Sequence, residues 1–432
     1  MISARAVESA LPSVLQSQRN LPSNSNLNRN LSNERRKQVA KNLLALTGND
    51  AGAYAVKQVQ PDVAAVFPIT PQTELMHKVA EYVADGVIDT ELITVESEHS
   101  AMSATVGAAA GGARTFTATA ANGFALMWEI VYIASSLRLP IVMALVNRAL
   151  SAPINIHGDH SDSMGGRDTG WIQFYSEGAQ EVYDNLIQAY RIAEHKDVLL
   201  PVMATFDGFI ISHTTEIVDT LTDDTVRKFV GEYKPAYSLL DIDHPITVGP
   251  LDLYDWYFEH KRSQIEATKH ARKVILDVAD EFYKLTGRKY GYFDEYRIDD
   301  AEAVIVVLGS AAGTTKCVVD KMRKEGKKVG VLKLRVFRPF PAEEIANALK
   351  DVPVVGVLDR MVSFGGWGGP VFNELRSAMY NMEKRPEVVN YHYGLGGRDI
   401  NTEQIEETFN TLLEIAETGE VKERFGYIGL RE

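Results

Sequence analysis

The stretch Thr94-Val95-Glu96-Ser97-Glu98-His99-Ser100-Ala101 places carboxylates where an apolar strand turns into a helix of mostly small residues. The following segment, Ala101–Gly112, carries almost no bulky side chain, so another backbone or a flat ligand can approach it closely. A buried carboxylate is costly unless it is paired or hydrogen-bonded. An acid beside such a surface therefore calls for a partner outside its own segment, and Glu98 is the first candidate for chemistry. The competing reading is electrostatic: both acids sit at the positive end of the next helix and stabilise it there.

Outward from this switch, strands and helices alternate. Apolar runs predict buried strands at 63–67, 92–95, 115–119, 141–146 and 202–206. Helical periodicity fills the gaps at 50–59, 74–82, 100–111, 124–135 and 180–194. This alternation predicts an α/β fold with a parallel sheet covered on both faces. The polar section 232–299, with Pro235, Pro245, Pro250 and a long charged helix near 256–285, reads as a wrapping connector. A second α/β unit, 300–432, has strands at 303–308, 328–334 and 354–358 and helices near 314–324 and 342–349. Its Gly309-Ser310-Ala311-Ala312-Gly313 follows a strand but lacks both the dinucleotide and the P-loop pattern, so it reads as a tight turn.

Residues 1–40 stand apart, rich in Ser, Asn, Leu and Arg, with Glu8 as the only acid up to Asn33. They read as a flexible or partner-wrapping arm or as a transit-type leader; the Asn-rich middle, poor in amphipathic periodicity, favours the arm. The 41–231 segment forms the first domain. A formal charge of -13 over 432 residues argues against nucleic-acid binding. No apolar run reaches membrane-spanning length. One cysteine, Cys317, excludes an internal disulfide framework and a cysteine-ligated cluster in this chain, and fits a reducing, cytoplasmic setting.

Four stretches put polar residues at strand ends, where open α/β sheets bind ligands. In Phe67-Pro68-Ile69-Thr70-Pro71 a strand stops and a helix follows, leaving the Thr70 hydroxyl and nearby amides at the sheet edge; a simple helix cap is the alternative. The Glu98 segment is the second. The third strand ends in Asn147-Arg148, where a guanidinium can grip a carboxylate or phosphate, or form an ordinary salt bridge. The fourth is the loop His157-Gly158-Asp159-His160-Ser161-Asp162-Ser163-Met164. Its spacing matches no zinc or calcium pattern, and a hydrogen-bonded loop is the expectation.

Together these stretches resemble the alpha subunit of 2-oxoacid:ferredoxin oxidoreductases, most nearly the pyruvate type. The likeness runs from Thr47-Gly48-Asn49-Asp50 through Arg114-Thr115-Phe116-Thr117, Asp168-Thr169-Gly170-Trp171 and Phe206-Asp207-Gly208 to Phe337-Arg338-Pro339 and Asp359-Arg360. The resemblance implies a thiamine-diphosphate-binding, pyrimidine-type domain followed by a transketolase C-terminal-like α/β domain. It implies conversion of a 2-oxoacid such as pyruvate, with coenzyme A and ferredoxin, to acyl-coenzyme A, carbon dioxide and reduced ferredoxin. It assigns Glu98 to the pyrimidine ring nitrogen, with Pro68, Ile69 and Asn122 as further cofactor contacts. Thr70 and Arg148 match the residues meeting the substrate carboxylate and acyl acceptor. Thr119-Ala120-Ala121-Asn122-Gly123 departs from the family, which usually has Ser and Gln before the glycine.

No Gly-Asp-Gly followed by Asn at diphosphate–magnesium spacing occurs, and there are no cysteine pairs. The resemblance therefore implies companions: a beta subunit with the diphosphate and Mg2+ site, a gamma subunit and a ferredoxin-like delta subunit, with 4Fe-4S clusters in the partners. Thr70 in place of a second cation disfavours a dicarboxylate such as oxalate. A branched-chain (2-oxoisovalerate) enzyme and a non-catalytic scaffold both remain open at this stage, and so does a role for the second domain in contacting coenzyme A.

Overall fold

β-branched and alanine-rich runs bounded by Pro, Gly and Asp give short buried strands, and a computed structural model of the chain, describing residues 42–431, arranges them in three sheets. The first half supplies β1 (Asn42–Leu46), β2 (Val63–Val66), β3 (Glu91–Thr94), β4 (Thr115–Thr119), β5 (Val142–Asn147), β6 (Ile172–Tyr175), β7 (Val202–Asp207) and β8 (Glu216–Thr220). The second supplies β9 (Phe293–Tyr296), β10 (Ala303–Leu308), β11 (Val329–Leu334), β12 (Val336–Arg338), β13 (Val354–Asp359), β14 (Glu387–Tyr393) and β15 (Phe425–Ile428).

A seven-stranded sheet runs β12-β6-β7-β5-β4-β2-β3, all parallel except β12, which pairs antiparallel with β6. β4, β5 and β7 are buried along their whole length, as expected for central parallel strands covered on both faces. Helices Gly48–Val59 and Ala179–Ala193 belong to the core on one face. The other core holds residues of helices Glu98–Ala110 and Trp128–Ser136. The first helix begins with a reciprocal cap: the Thr47 hydroxyl accepts from the Asp50 amide while Asp50 accepts from the Thr47 amide. Gly48 is needed there because a Cβ would stand 2.5 Å from the Ile211 carbonyl oxygen.

The second sheet, β15-β14-β13-β10-β11-β9, is parallel except for β9 at its edge, and two apolar clusters cover it. β9 comes from the end of the 232–299 segment, whose helix Tyr257–Thr286 buries its Ala267, Ala271, Ile275 and Phe282 stripe against the first unit. The first sheet thus takes its edge strand β12 from the second unit, while the second sheet takes β9 from the end of the connector. β1 and β8 form a separate antiparallel pair.

One sequence expectation changes in detail. The helix expected over 124–135 is two, Ala121–Leu126 and Trp128–Ser136, separated at Met127. The expected arm, 1–40, lies outside the described residues.

Candidate functional site

β5, β4, β2 and β3 are consecutive neighbours, and each ends on the same sheet edge with one segment singled out by the sequence. Arg148 follows β5, Asn122 follows β4, Pro68–Thr70 follow β2 and Glu98 follows β3. A parallel sheet makes this convergence automatic, since every strand delivers its carboxyl end to one side.

Glu98 is the first residue of helix Glu98–Ala110, and Ser97 caps that helix by accepting from the Ser100 amide. Burial of Ala101, Met102, Thr105 and Ala109 on one face turns the first turn inward, leaving Glu98 7% exposed. Its carboxylate has no hydrogen-bond or ion-pair partner among the described residues, although the adjacent His99 lies 3.8 Å from Glu129. The nearest features are a donor and a gap. A Cβ on Gly123 would stand 2.6 Å from Thr119 Oγ1 and 2.7 Å from Glu98 Oε1. Thr119 is fully buried and its hydroxyl is also unpartnered. Two buried polar groups without partners, meeting over a glycine, form a cradle that a ligand would complete.

Arg148 is 8% exposed. Its Nε donates to the Asn155 carbonyl at 3.0 Å and its Nη1 to the Thr70 carbonyl at 3.0 Å. No carboxylate of the described residues pairs with it, so the salt-bridge alternative does not hold; its charge is free for an anion. Thr70 itself is exposed, with its hydroxyl unengaged by the described residues. The amides near it are partly spent: Ile69 N–H donates to Gln72 Oε1 at 3.2 Å, and Gln72 in turn donates to the Ala118 carbonyl. Pro68 is exposed and Ile69 half-buried. Asn122 is exposed, and its Oδ1 accepts from the Ser151 amide at 3.3 Å.

The residue that ties these turns together is Asp162, which lay unsingled within the polar loop. One carboxylate oxygen accepts from the amides of Ala121 and Arg148, both at 2.9 Å. The other accepts from Asn147 Nδ2 at 2.9 Å and the Ser163 amide at 2.7 Å. Burial pushes its carboxyl up to about 6, against these hydrogen bonds, which favour the charged form. The loop is therefore hydrogen-bonded, as its sequence suggested. Among the described residues no group of three or more His, Cys, Asp or Glu side chains gathers in a metal-holding arrangement.

Gly309-Ser310 also finds its role. The turn seats the buried Asp207 at the end of β7: the Ser310 amide and hydroxyl donate to Asp207 Oδ2 at 2.9 and 2.5 Å. Arg360 Nη1 donates to the same oxygen at 2.9 Å, and His160 Nε2 meets Oδ1 at 2.7 Å. Burial alone would raise the Asp207 carboxyl, but the Arg360 and His160 charges and these hydrogen bonds hold it well below the usual carboxylate range.

Residues 54–280 match the family described as pyruvate flavodoxin/ferredoxin oxidoreductase, thiamine diP-binding. Residues 301–405 match the pyruvate:ferredoxin oxidoreductase core domain II. The chain is 56% identical over 390 residues to the pyruvate synthase subunit PorA of Thermotoga maritima, covering 90% of this chain and 98% of the relative. It is 52% identical to PorA of Methanocaldococcus jannaschii, covering 84% and 93%. The ketoisovalerate oxidoreductase subunit VorA of Pyrococcus abyssi is 45% identical, covering 87% and 95%. Among solved structures, a 2-oxoglutarate:ferredoxin oxidoreductase from Magnetococcus marinus superposes with a TM-score of 0.67 at 16% identity, over 86% of this chain and 66% of that one. A split-gene transketolase in an inactive beta4 tetramer gives 0.53 at 11% identity, over 86% and 100%. These two likenesses concern the fold.

Proposed function

The chain belongs to the pyruvate:ferredoxin oxidoreductase family, and from that premise we propose how its own residues serve the reaction. It is the alpha-type subunit of a pyruvate synthase, a multi-subunit 2-oxoacid:ferredoxin oxidoreductase built on a thiamine-diphosphate-binding fold. The reaction of the family takes pyruvate and coenzyme A to acetyl-coenzyme A and carbon dioxide, with electrons passing to ferredoxin. Identity to the ketoisovalerate relative is lower than to the first two pyruvate synthase relatives, which favours pyruvate.

The buried, unpartnered Glu98 carboxylate carries the mechanistic reading. An aminopyrimidine nitrogen would supply the hydrogen-bond partner that the chain does not, and the bare Gly123 backbone lets the turn after β4 come close to the acid. Glu98 would hold and return a proton at that nitrogen. Pro68, Ile69 and Asn122 would border the ring. When bound, the thiamine cofactor supplies the electron sink for decarboxylation; the protein supplies placement and electrostatics.

Arg148 and the Thr70 hydroxyl would take the oxoacid carboxylate. The two backbone carbonyls already holding the guanidinium fix its orientation before substrate arrives. Holding the oxoacid in a near-attack geometry is worth about 7–11 kcal/mol in favourable intramolecular cases.

This reading assigns the diphosphate and its Mg2+ to a beta subunit, and the 4Fe-4S clusters to partners such as a gamma and a ferredoxin-like delta subunit. Exposed apolar side chains fit such company: Leu126, Trp128, Tyr132 and Ile133 lie beside the site, and Leu251, Tyr254 and Phe258 lie on the segment before and within helix Tyr257–Thr286. No helix of the described residues is long and apolar enough to cross a membrane, and a cytoplasmic setting is the proposed one.

The test is Glu98→Gln in the reconstituted complex. Exchange of the thiazolium C2 proton should fall at least about 100-fold, in line with loss of a general acid–base group, while the subunits still co-purify. Undiminished exchange would leave the scaffold reading standing. Turnover of pyruvate against 2-oxoisovalerate by the same complex checks the substrate, and a branched-chain preference would overturn pyruvate.

A further inference from the structure

Arg148 begins the irregular segment Arg148–His160, most of whose first half is exposed. Nothing in a surface loop of this kind would by itself hold a guanidinium still. The fixed points come from the second α/β unit, at the turn Gly394–Gly397 that leaves β14. Asn155 Nδ2 donates to the Gly396 carbonyl at 3.0 Å, and the Gly396 amide donates to Asp159 Oδ2 at 3.1 Å. Asn155 also organises its own side of the loop: its Oδ1 accepts from the His157 amide at 2.7 Å, and the His157 carbonyl accepts from the Ala149 amide at 3.0 Å. Its backbone carbonyl is the acceptor for Arg148 Nε.

The approach leaves no space. Gly394, Gly396 and Gly397 all have positive φ, at 64°, 60° and 78°. A Cβ on Gly397 would stand 2.3 Å from His157 Cβ, and one on Gly396 would stand 2.4 Å from Asn155 Nδ2. The second unit thus presents bare backbone to the loop, with one donor and one acceptor matched to Asp159 and Asn155.

We infer that Asn155 is a positioning residue for Arg148, and that the Gly394–Gly397 turn sets oxoacid affinity from the second unit. This rests on the reading of Arg148 as the cation for the substrate carboxylate. Loss of the Asn155 side chain frees its carbonyl to wander, and the guanidinium loses one of its two carbonyl anchors. Glu98 lies after β3 on its own helix and touches none of these groups, so its proton exchange is expected to survive the change.

The experiment compares Asn155→Ala, Asn155→Asp, Gly397→Ala and Arg148→Lys in the reconstituted complex. Asn155→Asp keeps the shape and the His157 contact but cannot donate to Gly396. Both Asn155 variants and Gly397→Ala should raise the pyruvate KM about tenfold or more, the scale expected for a displaced binding group. Thiazolium C2 proton exchange and kcat should stay within about twofold. Arg148→Lys should raise KM at least as much. If Arg148→Lys leaves KM unchanged, the reading of Arg148 fails and takes the inference with it. If Arg148→Lys raises KM while the Asn155 variants do not, the inference alone is overturned. A parallel fall in KM-independent turnover, C2 exchange and melting temperature would mean a merely structural role, which also overturns it.

Discussion

Gly123 fixes how closely the turn after β4 approaches the acid. With no side chain there, Thr119 Oγ1 and Glu98 Oε1 share a space that a methyl group would fill at 2.6 and 2.7 Å. Gly123→Ala is therefore expected to push the carboxylate aside while leaving the fold intact. Displacement on the order of 1 Å costs about 100-fold in rate, so kcat of the complex should drop by that scale with normal assembly; a variant of wild-type rate would show that Glu98 does not use this cradle. Asp162 makes a second, pH-dependent prediction. Its folded carboxyl is raised from 3.8 to about 6, so its stabilising contribution is complete below pH 3.8 and is lost as pH rises through about 6. The interval bounds the effect at about 3 kcal/mol. Asp162→Asn should flatten this component between pH 4 and 7; near pH 4 it should lower stability by about 1–3 kcal/mol, because one of its oxygens becomes an amide facing two donors, and the gap to the wild type should narrow as pH rises through about 6. Unfolding midpoints of both proteins across that range measure both effects.

At the scale of elements, the site depends on where a helix starts. Ser97 caps helix Glu98–Ala110, and the first turn it secures is the one that carries Glu98. Ser97→Ala should cost about 1 kcal/mol of stability, the usual worth of such a cap, and a disproportionate share of C2 exchange; equal, small losses in both would mean the acid is held by packing instead. Why some elements were legible and others not follows the same logic. The strand expected over 115–119 is found at those bounds because every residue in it is buried and apolar or β-branched. β9, reading Phe-Asp-Glu-Tyr at a sheet edge, and the three-residue β12 carry no such pattern and owe their existence to a neighbour. Glu98 and Arg148 stood out because chemistry at a strand end is a local signal. Asn155 did not, since its partner Gly396 is 241 residues away. Asp162 was hidden for the opposite reason: it sits in a loop so rich in polar residues that none stood out.

At the scale of the molecule, a buried charge cluster lies where the two α/β units meet. Asp207 ends β7 in the first unit, while Ser310 follows β10 and Arg360 follows β13 in the second. His160 completes the shell, and its amide donates to the Arg360 carbonyl at 2.9 Å. Asp207, His160 and Arg360 are each at most 3% exposed, so the Asp207 carboxylate and the Arg360 guanidinium depend on each other, and on the His160 hydrogen bond, in place of water. Removing one partner is therefore worse than never having had the pair, and Arg360→Gln should cost about 3–5 kcal/mol. The sign with pH is opposite to that of Asp162. Because the folded Asp207 carboxyl lies below its ordinary 3.8, its contribution is present above that pH and is lost as the solution is acidified below it. Asp207→Asn should thus be less stable than the wild type at pH 7, with the gap narrowing on acidification below pH 4. Hydrogen exchange localises the damage: amides near Ser310 and along helix Ala311–Lys324 should exchange faster in either variant, while those of β2 and β3 beside Glu98 stay protected. If protection falls equally in both units, the cluster is one support among many and the two units are coupled through β12, the strand that joins the second unit's chain to the first sheet.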